Sequence, residues 1–572
     1  LVFAILMLMD AINLSIQTVI RQLFNVEQTV HLSRPDSDFG DFATNVAMQL
    51  AKPLGKNPRE IAEQLAESLR QTSDYTDVSV AGPGFINLKL SSKKLADNLQ
   101  STWSDKYGEN NDGAGKTVVV EYPSPNMAKP YSVGHLRPGN QGWAVKRLME
   151  ATGWKVITDN HLGDYGAPFG IWVVGFLKFS NDEKLATDGV YELGRVYIET
   201  KKALKDEEAT GGSELANEVQ QWLLKLESGD QQAVSYSQRF NEISLAHIHE
   251  VMNRLKISTD FELGEAFFAP QGKQIVQDLL GRGIAIQNDD GSVIVPLDEF
   301  GIKVPLLVQK SNGAALYATT DLATTMYRQD NWHPDRIILA VGAEQQFYFT
   351  QLFALAKKLG IQTEMVHLWF GVIDQLNDDG TREKMSSRKG VVLMEELLNQ
   401  AEQKAREVVK DRDVSDDDIK KIALGAIKFS DFIADRRTNI LFSWDSIFAL
   451  SGVSGPYVQY TTVRVNKILH DNEIIQTDIS QYDWAPEKAV ILKLLEYPDV
   501  VRLAARDLEP HKIATYLYEL ARDLNRYYET TPIAIGDVTD VQKQARLQLL
   551  QKVSQVFTHG LSLLGIEVPG SM

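Results

Sequence analysis

The sequence predicts a multidomain α/β protein in which a Rossmann-like parallel-sheet domain carrying an insertion lies between an N-terminal α+β domain and a C-terminal all-α helical domain. Three observations predict it. At 572 residues the chain is longer than one hydrophobic core usually organises, so about three or four domains are expected. Strand-like and helix-like patterns alternate in two separated blocks, Thr117–Thr158 and Arg336–Gly371, the order a parallel sheet requires. Beyond about Ile419 the apolar period becomes helical almost throughout.

The elements follow in order. Leu1–Met9 is almost wholly apolar, but no basic segment precedes it and it falls far short of the ~20 residues that span a membrane. Neither a signal peptide nor a membrane partner is expected, and translation is expected to start at Met7 or Met9. Residues 1–113 form the first unit, with amphipathic helices near Ala11–Phe24 and Pro58–Arg70 and strands around Val78–Val80 and Phe85–Leu90. Asn110–Gly115 reads as a linker. The second unit, 114–418, opens with the strand Thr117–Tyr122, a helix from about Gln141 to Thr152 stopped by Gly153, and the strand Trp154–Thr158. After a charged insertion at about 181–302, the alternation resumes with the strand Arg336–Val341, the helix Gln345–Leu359 ended by Gly360, and the strand Met365–Gly371. In the third unit, 419–572, Ile513, Leu517, Leu520, Leu524 and Tyr527 trace one apolar face, and Leu550, Val553, Phe557, Leu561 and Leu564 another.

Composition narrows the chemistry. With 44% hydrophobic and 24% charged residues the chain is an ordinary globular protein. The absence of cysteine excludes disulfides, thiolate catalysis and cysteine-ligated zinc, and agrees with a cytoplasmic location. The ten histidines are scattered, so no zinc site and no metal ligand set is expected. The net charge of −17 argues against DNA or any nucleic acid coated by bulk electrostatics. It leaves room for one shaped RNA held by local basic patches.

Two short motifs carry the chemistry. Ser132-Val-Gly-His135 stands between a strand and a helix, where Gly134 lets a ligand approach the backbone, His135 offers an imidazole, and the helix N-terminus favours anions. Lys384-Met-Ser-Ser-Arg-Lys-Gly390 carries two lysines, an arginine and two hydroxyls within seven residues, a set that can neutralise a departing pyrophosphate. Either motif alone is weak; in this order they read as two halves of an ATP site that makes an adenylate.

Further motifs give the pair a family resemblance. Glu121-Tyr-Pro-Ser-Pro-Asn126, Val133-Gly-His-Leu-Arg137, Asn160-His-Leu-Gly-Asp164, Tyr317-Ala-Thr-Thr-Asp-Leu-Ala323, Gly455-Pro-Tyr-Val-Gln-Tyr460 and Leu564-Gly-Ile566 together resemble the arginyl-tRNA synthetases of class I. Gly40-Asp-Phe-Ala-Thr-Asn45 and Gly84-Phe-Ile-Asn87 resemble that family's extra N-terminal domain. The resemblance covers nearly the whole chain. It departs at Ser132, where the family usually carries histidine, and at Pro138, where it usually carries serine.

The resemblance implies activation of L-arginine with ATP and magnesium, followed by transfer to tRNA(Arg). It implies no zinc and no tightly bound organic cofactor, and the protein is expected to be a monomer. His135, Lys384, Ser386, Ser387 and Lys389 would be catalytic, and Ser132, Gly134 and Met385 would join His135, Lys384 and Lys389 around ATP. Ser124, Asn126 and Gln345 would hold the α-amino and carboxylate groups of arginine, with Glu121, Tyr317 and Asp321 around its guanidinium. Carboxylates and a phenol suit that planar fork of donors. Phe85 and Asn87 would meet the tRNA D-loop, and Tyr457, Gln459 and Tyr460 would contact tRNA from the helical domain. Read by itself, Asp321 is equally a helix cap before Leu322, while His161 and Asp164 equally shape a loop beside the site.

Overall fold

The computed structural model describes residues 8–572 except 37, 102–103, 128, 312–315, 377–379, 386–391, 411, 476–478, 480–481, 535 and 537. In the N-terminal unit the helix Pro58–Arg70 begins where the Asn57 side chain accepts from the Arg59 N–H and Pro58 occupies the first turn, both favourable there. Its buried face, Ile61, Ala62, Leu65, Ala66 and Leu69, packs against a four-stranded antiparallel sheet. The expected short strand near Val78 extends over Tyr75–Ala81, paired with Phe85–Leu90.

The central sheet is parallel throughout, in the order Glu364–His367, Arg336–Leu339, Thr117–Glu121, Lys155–Asp159. The register aligns His367, Leu339, Glu121 and Asp159 in one row at the carboxyl ends of the strands. Val118, Val119 and Val120 are completely buried, as a strand covered on both faces demands. The helix expected from Gln141 instead spans Leu136–Ala151. A proline in the first turn surrenders no intrahelical hydrogen bond, so Pro138 is accommodated and the helix starts directly behind His135.

The insertion is helical and then β. Helices Asp182–Asp188, Val190–Ala209, Glu214–Glu227 and Gln231–Arg254 gather around Ala167–Phe179. Glu265–Gly281 then leads to an antiparallel sheet of Ile286–Gln287, Val293–Leu297 and Ile302–Gln309. In the C-terminal unit, helices Gly455–His470, Lys488–Asp507, His511–Thr530 and Asp540–Leu563 bury both predicted stripes.

One buried ionic cluster ties this unit to the sheet domain. Asp431, on the helix Asp416–Phe432, accepts from Arg137 Nε at 2.9 Å, from Gln141 at 3.1 Å and from Asn140 at 3.2 Å. The side chains of Arg137 and Asp431 are each only 2% exposed, and Arg137 Nη1 also donates to the carbonyls of Gly371 and Thr438.

Candidate active site

The strand order reverses direction between Thr117–Glu121 and Arg336–Leu339: the chain leaves the first toward Lys155–Asp159 on one side, and the second toward Glu364–His367 on the other. In open α/β sheets ligands bind outside the carboxyl ends of the strands at such a switch point. A cleft of about 250 Å³ opens there. It brings together Ser124, Asn126, Gly134, His135, Gln345, Lys384 and Met385 from widely separated parts of the sequence. One wall is fixed by His367 Nε2, which donates to the Val341 carbonyl at 3.0 Å. Ser124 is held at φ +52° with its N–H on Asn160 Oδ1 at 3.2 Å, a backbone conformation uncommon outside glycine and recurrent at functional sites.

His135 sits on a single 3₁₀ turn, Val133–His135, and its ring packs on Tyr131 at 4.9 Å between centroids. The Ser132 N–H lies 3.4 Å from His135 Nδ1. Since an N–H only donates, Nδ1 carries the lone pair and Nε2 the hydrogen. Burial lowers the pKa of the imidazole to about 4, so near neutrality it is an uncharged donor. Ser132 does not line the cleft; its hydroxyl also stands 3.4 Å from His135 Nδ1.

Lys384 ends a short hairpin, Ile373–Leu376 with Arg382–Lys384, in register with Asp374. Met385 is buried beneath the cleft, its N–H on the Ile373 carbonyl at 2.9 Å. Ser386, Ser387 and Lys389 lie outside the described residues.

The expected guanidinium ligands form a second, acidic compartment. The helix starts at Tyr317, so Asp321 occupies its second turn and is not a cap. Asp321 Oδ2 accepts from the Tyr348 hydroxyl, and Oδ1 lies 3.8 Å from His161 Nε2. His161 Nδ1 donates to the Leu263 carbonyl at 2.8 Å, leaving Nε2 buried without a hydrogen-bond partner. Burial raises the pKa of Asp321, opposed by His161 and the Tyr348 hydrogen bond and reinforced by Glu121. Burial, with Asp321 and Asp164 nearby, raises that of Glu265 to about 7. Tyr317 is 67% exposed at the edge of this group.

Glu121 is already engaged. Arg328, 2% exposed, spans Glu121 Oε2 and Asp159 Oδ2 at 2.7 Å each. The other Glu121 oxygen faces the Ser124 hydroxyl at 3.5 Å.

Sequence reasoning missed Glu265, Tyr348 and Arg328. A helical-face reading would have found Arg328, which follows Tyr317 and Asp321 at near-helical spacing on one helix; nothing local marks Glu265 or Tyr348.

The candidate tRNA residues are scattered. Phe85 is 41% exposed, whereas Asn87, on the same strand, is 6% exposed. Tyr457 packs on Tyr518, its hydroxyl accepting from Asn525 at 2.9 Å. Tyr460 lies half-buried beneath the Arg412 guanidinium, 5.3 Å from its ring centroid. The expected RNA contact at Gln459 is corrected: the side chain is fully enclosed and donates to the carbonyls of Lys421 and Glu567. Among the described residues no group of His, Asp or Glu could hold a metal ion, and no helix is long and apolar enough to cross a membrane.

Residues 98–444 match the family model of the class I (R) tRNA synthetase catalytic domain, residues 458–572 the DALR anticodon binding domain, and residues 10–90 the arginyl tRNA synthetase N-terminal domain. An arginine–tRNA ligase of Fusobacterium nucleatum is 32% identical over 567 residues, covering 96% of each chain. One of Pseudoalteromonas atlantica is 34% identical, covering 92% of this chain and 93% of the relative. The fold is similar to that of Thermus thermophilus arginyl-tRNA synthetase (TM-score 0.81, 22% identity, 99% and 100% coverage). It is also similar to that of the Plasmodium falciparum enzyme (TM-score 0.78, 22% identity, 100% coverage of both chains).

Proposed function

This chain belongs to the class I arginyl-tRNA synthetases and is an arginine–tRNA ligase; from that premise we propose how its residues divide the reaction. The arginine carboxylate attacks the α-phosphorus of ATP, and pyrophosphate leaves. A hydroxyl of the tRNA 3′-terminal adenosine then attacks the activated carbonyl, and AMP leaves. No protein nucleophile is needed, so catalysis is positioning and charge stabilisation.

His135, seated by Ser132, donates from Nε2 to ATP, whose phosphates approach the bare backbone at Gly134. Lys384 meets the charge that develops on pyrophosphate, with Met385 seating the strand end, and Ser386, Ser387 and Lys389 join it on sequence grounds. Ser124, Asn126 and Gln345 hold the arginine α-amino and carboxylate groups. Asp321, Tyr317 and the Glu121 oxygen that Arg328 leaves open receive the guanidinium, with Glu265 beside them. The observation that carries this reading is the single cleft at the switch point lined by His135, Lys384, Ser124, Asn126 and Gln345, with carboxylates clustered next to it. Phe85, Tyr457 and Tyr460 contact tRNA(Arg), and Asn87 supports the strand beneath Phe85. The enzyme takes ATP as its magnesium complex and works as a cytoplasmic monomer, with neither DNA nor a membrane as partner.

Lys384→Ala tests the central assignment. The single-turnover rate of adenylate formation, measured with arginine, ATP and tRNA, is expected to fall about 10²- to 10³-fold. ATP affinity should fall much less, because the contact strengthens as pyrophosphate departs. A wild-type rate would remove Lys384 from the mechanism.

A pH dependence follows from Glu265. Its raised pKa of about 7 means that the carboxyl is largely neutral below pH 7 and charged above it. Arginine affinity is therefore expected to improve as pH rises, by up to about tenfold per unit below pH 7, and to level off above it. Glu265→Gln should flatten that profile. A profile unchanged in the variant would assign the titration elsewhere.

A further inference from the structure

One side chain of the insertion, His247 on the helix Gln231–Arg254, touches residues that flank both motifs. The Tyr131 N–H donates to His247 Nε2 at 3.0 Å. The ring hydrogen therefore sits on Nδ1, which lies 3.8 Å from Glu395 Oε1. The Tyr191 hydroxyl donates to the other Glu395 oxygen, and the Tyr191 ring stands edge-on to His247 at 5.6 Å. His247 is 8% exposed, and burial keeps its pKa below the ordinary value, so the lone pair on Nε2 is retained.

What this ring braces is a short backbone seam. The Val133 N–H donates to the Val392 carbonyl at 3.0 Å, the Met394 N–H donates to the Tyr131 carbonyl at 2.9 Å, and Ser132 bridges Leu393 in antiparallel fashion. Residues 131–133 lead directly into His135, while residues 392–394 follow the Lys384–Gly390 motif and open the helix Met394–Val408. So short a ladder has little stability of its own. Tyr131 is held from both sides, its carbonyl by Met394 and its N–H by His247, and its ring carries that of His135.

We infer that His247 is a positioning residue for adenylate formation, fixing the seam that registers one ATP motif against the other. The inference rests on the reading of His135 and Lys384 as the ATP site. It predicts an effect on the rate of activation rather than on arginine binding, since His247 touches neither the cleft nor the acidic compartment.

The test compares His247→Phe, which keeps the ring volume but no acceptor, with His247→Gln, whose amide oxygen stands in for Nε2. In the full-length enzyme with tRNA, His247→Phe is expected to slow single-turnover activation about 10- to 100-fold with the arginine KM unchanged. His247→Gln should recover most of the loss. Equal rates in the two variants, or a wild-type rate in His247→Phe, overturn the inference. Should His247→Phe not fold, Tyr191→Phe carries the test by releasing Glu395 alone: slowed activation at unchanged arginine KM supports the inference, and a wild-type rate overturns it. His135→Ala, measured alongside, separates the two readings, because normal activation there defeats the ATP-site assignment itself.

Discussion

Asp321→Asn is expected to lower kcat/KM for arginine by roughly 10²- to 10⁴-fold, the equivalent of about 3–5 kcal/mol for breaking a buried charge-assisted pair. The substitution hardly changes size, but it removes the charge and turns one acceptor into a donor. The Tyr348 hydroxyl now donates to Asp321 Oδ2, so an amide would have to keep its oxygen there and aim its NH₂ at the incoming guanidinium. Two donors would then face each other where the carboxylate had accepted from the guanidinium. ATP affinity, tRNA affinity and Tm should change little, because Asp321 stands on a well-formed helix outside the ATP cleft. Steady-state charging at varied arginine, with a thermal melt of the same sample, checks both parts. Normal use of arginine by a folded variant would reject the pocket assignment.

Asp431→Ala is expected to cost about 3–5 kcal/mol of stability, since it leaves Arg137 charged, 2% exposed and without its carboxylate. Asn140 and Gln141 lose their acceptor in the same step. Denaturant unfolding of the whole enzyme, followed by a probe in the C-terminal helices, would show the loss. The paired change Arg137→Met with Asp431→Leu should restore much of it, because an apolar pair removes the desolvation cost together with the attraction. A loss below about 1 kcal/mol, typical of exposed pairs, would mean that water reaches the cluster. Since Arg137 and Asn140 lie on the helix that begins behind His135, activation should weaken with stability.

Legibility followed the range of the interactions. The Pro58–Arg70 helix, the valine-rich strand at 118–120 and the stripes on the last two helices are visible because period and turn chemistry are local. Leu136–Ala151 begins five residues before the expected start at Gln141, with Pro138 in its first turn, where a proline costs no intrahelical hydrogen bond. The motif Gly455–Tyr460 suggested Gln459 as a tRNA contact, but its side chain is enclosed by the segments at Lys421 and Glu567, a burial that residue identity does not reveal.

By itself the sequence determined the domain classes and the family and picked out the two candidate ATP motifs, all of which depend on short-range pattern and residue identity. Tertiary structure alone decided that Glu121 shares Arg328 with Asp159, that Glu265 and Tyr348 stand beside Asp321, and that His247 accepts from the Tyr131 N–H next to the seam between residues 131–133 and 392–394. The physical reason is sequence separation. Each of these contacts joins residues brought together by the strand order and by the packing of the insertion, and the free energy of a buried carboxylate or imidazole depends on which partners arrive within a few ångströms of it.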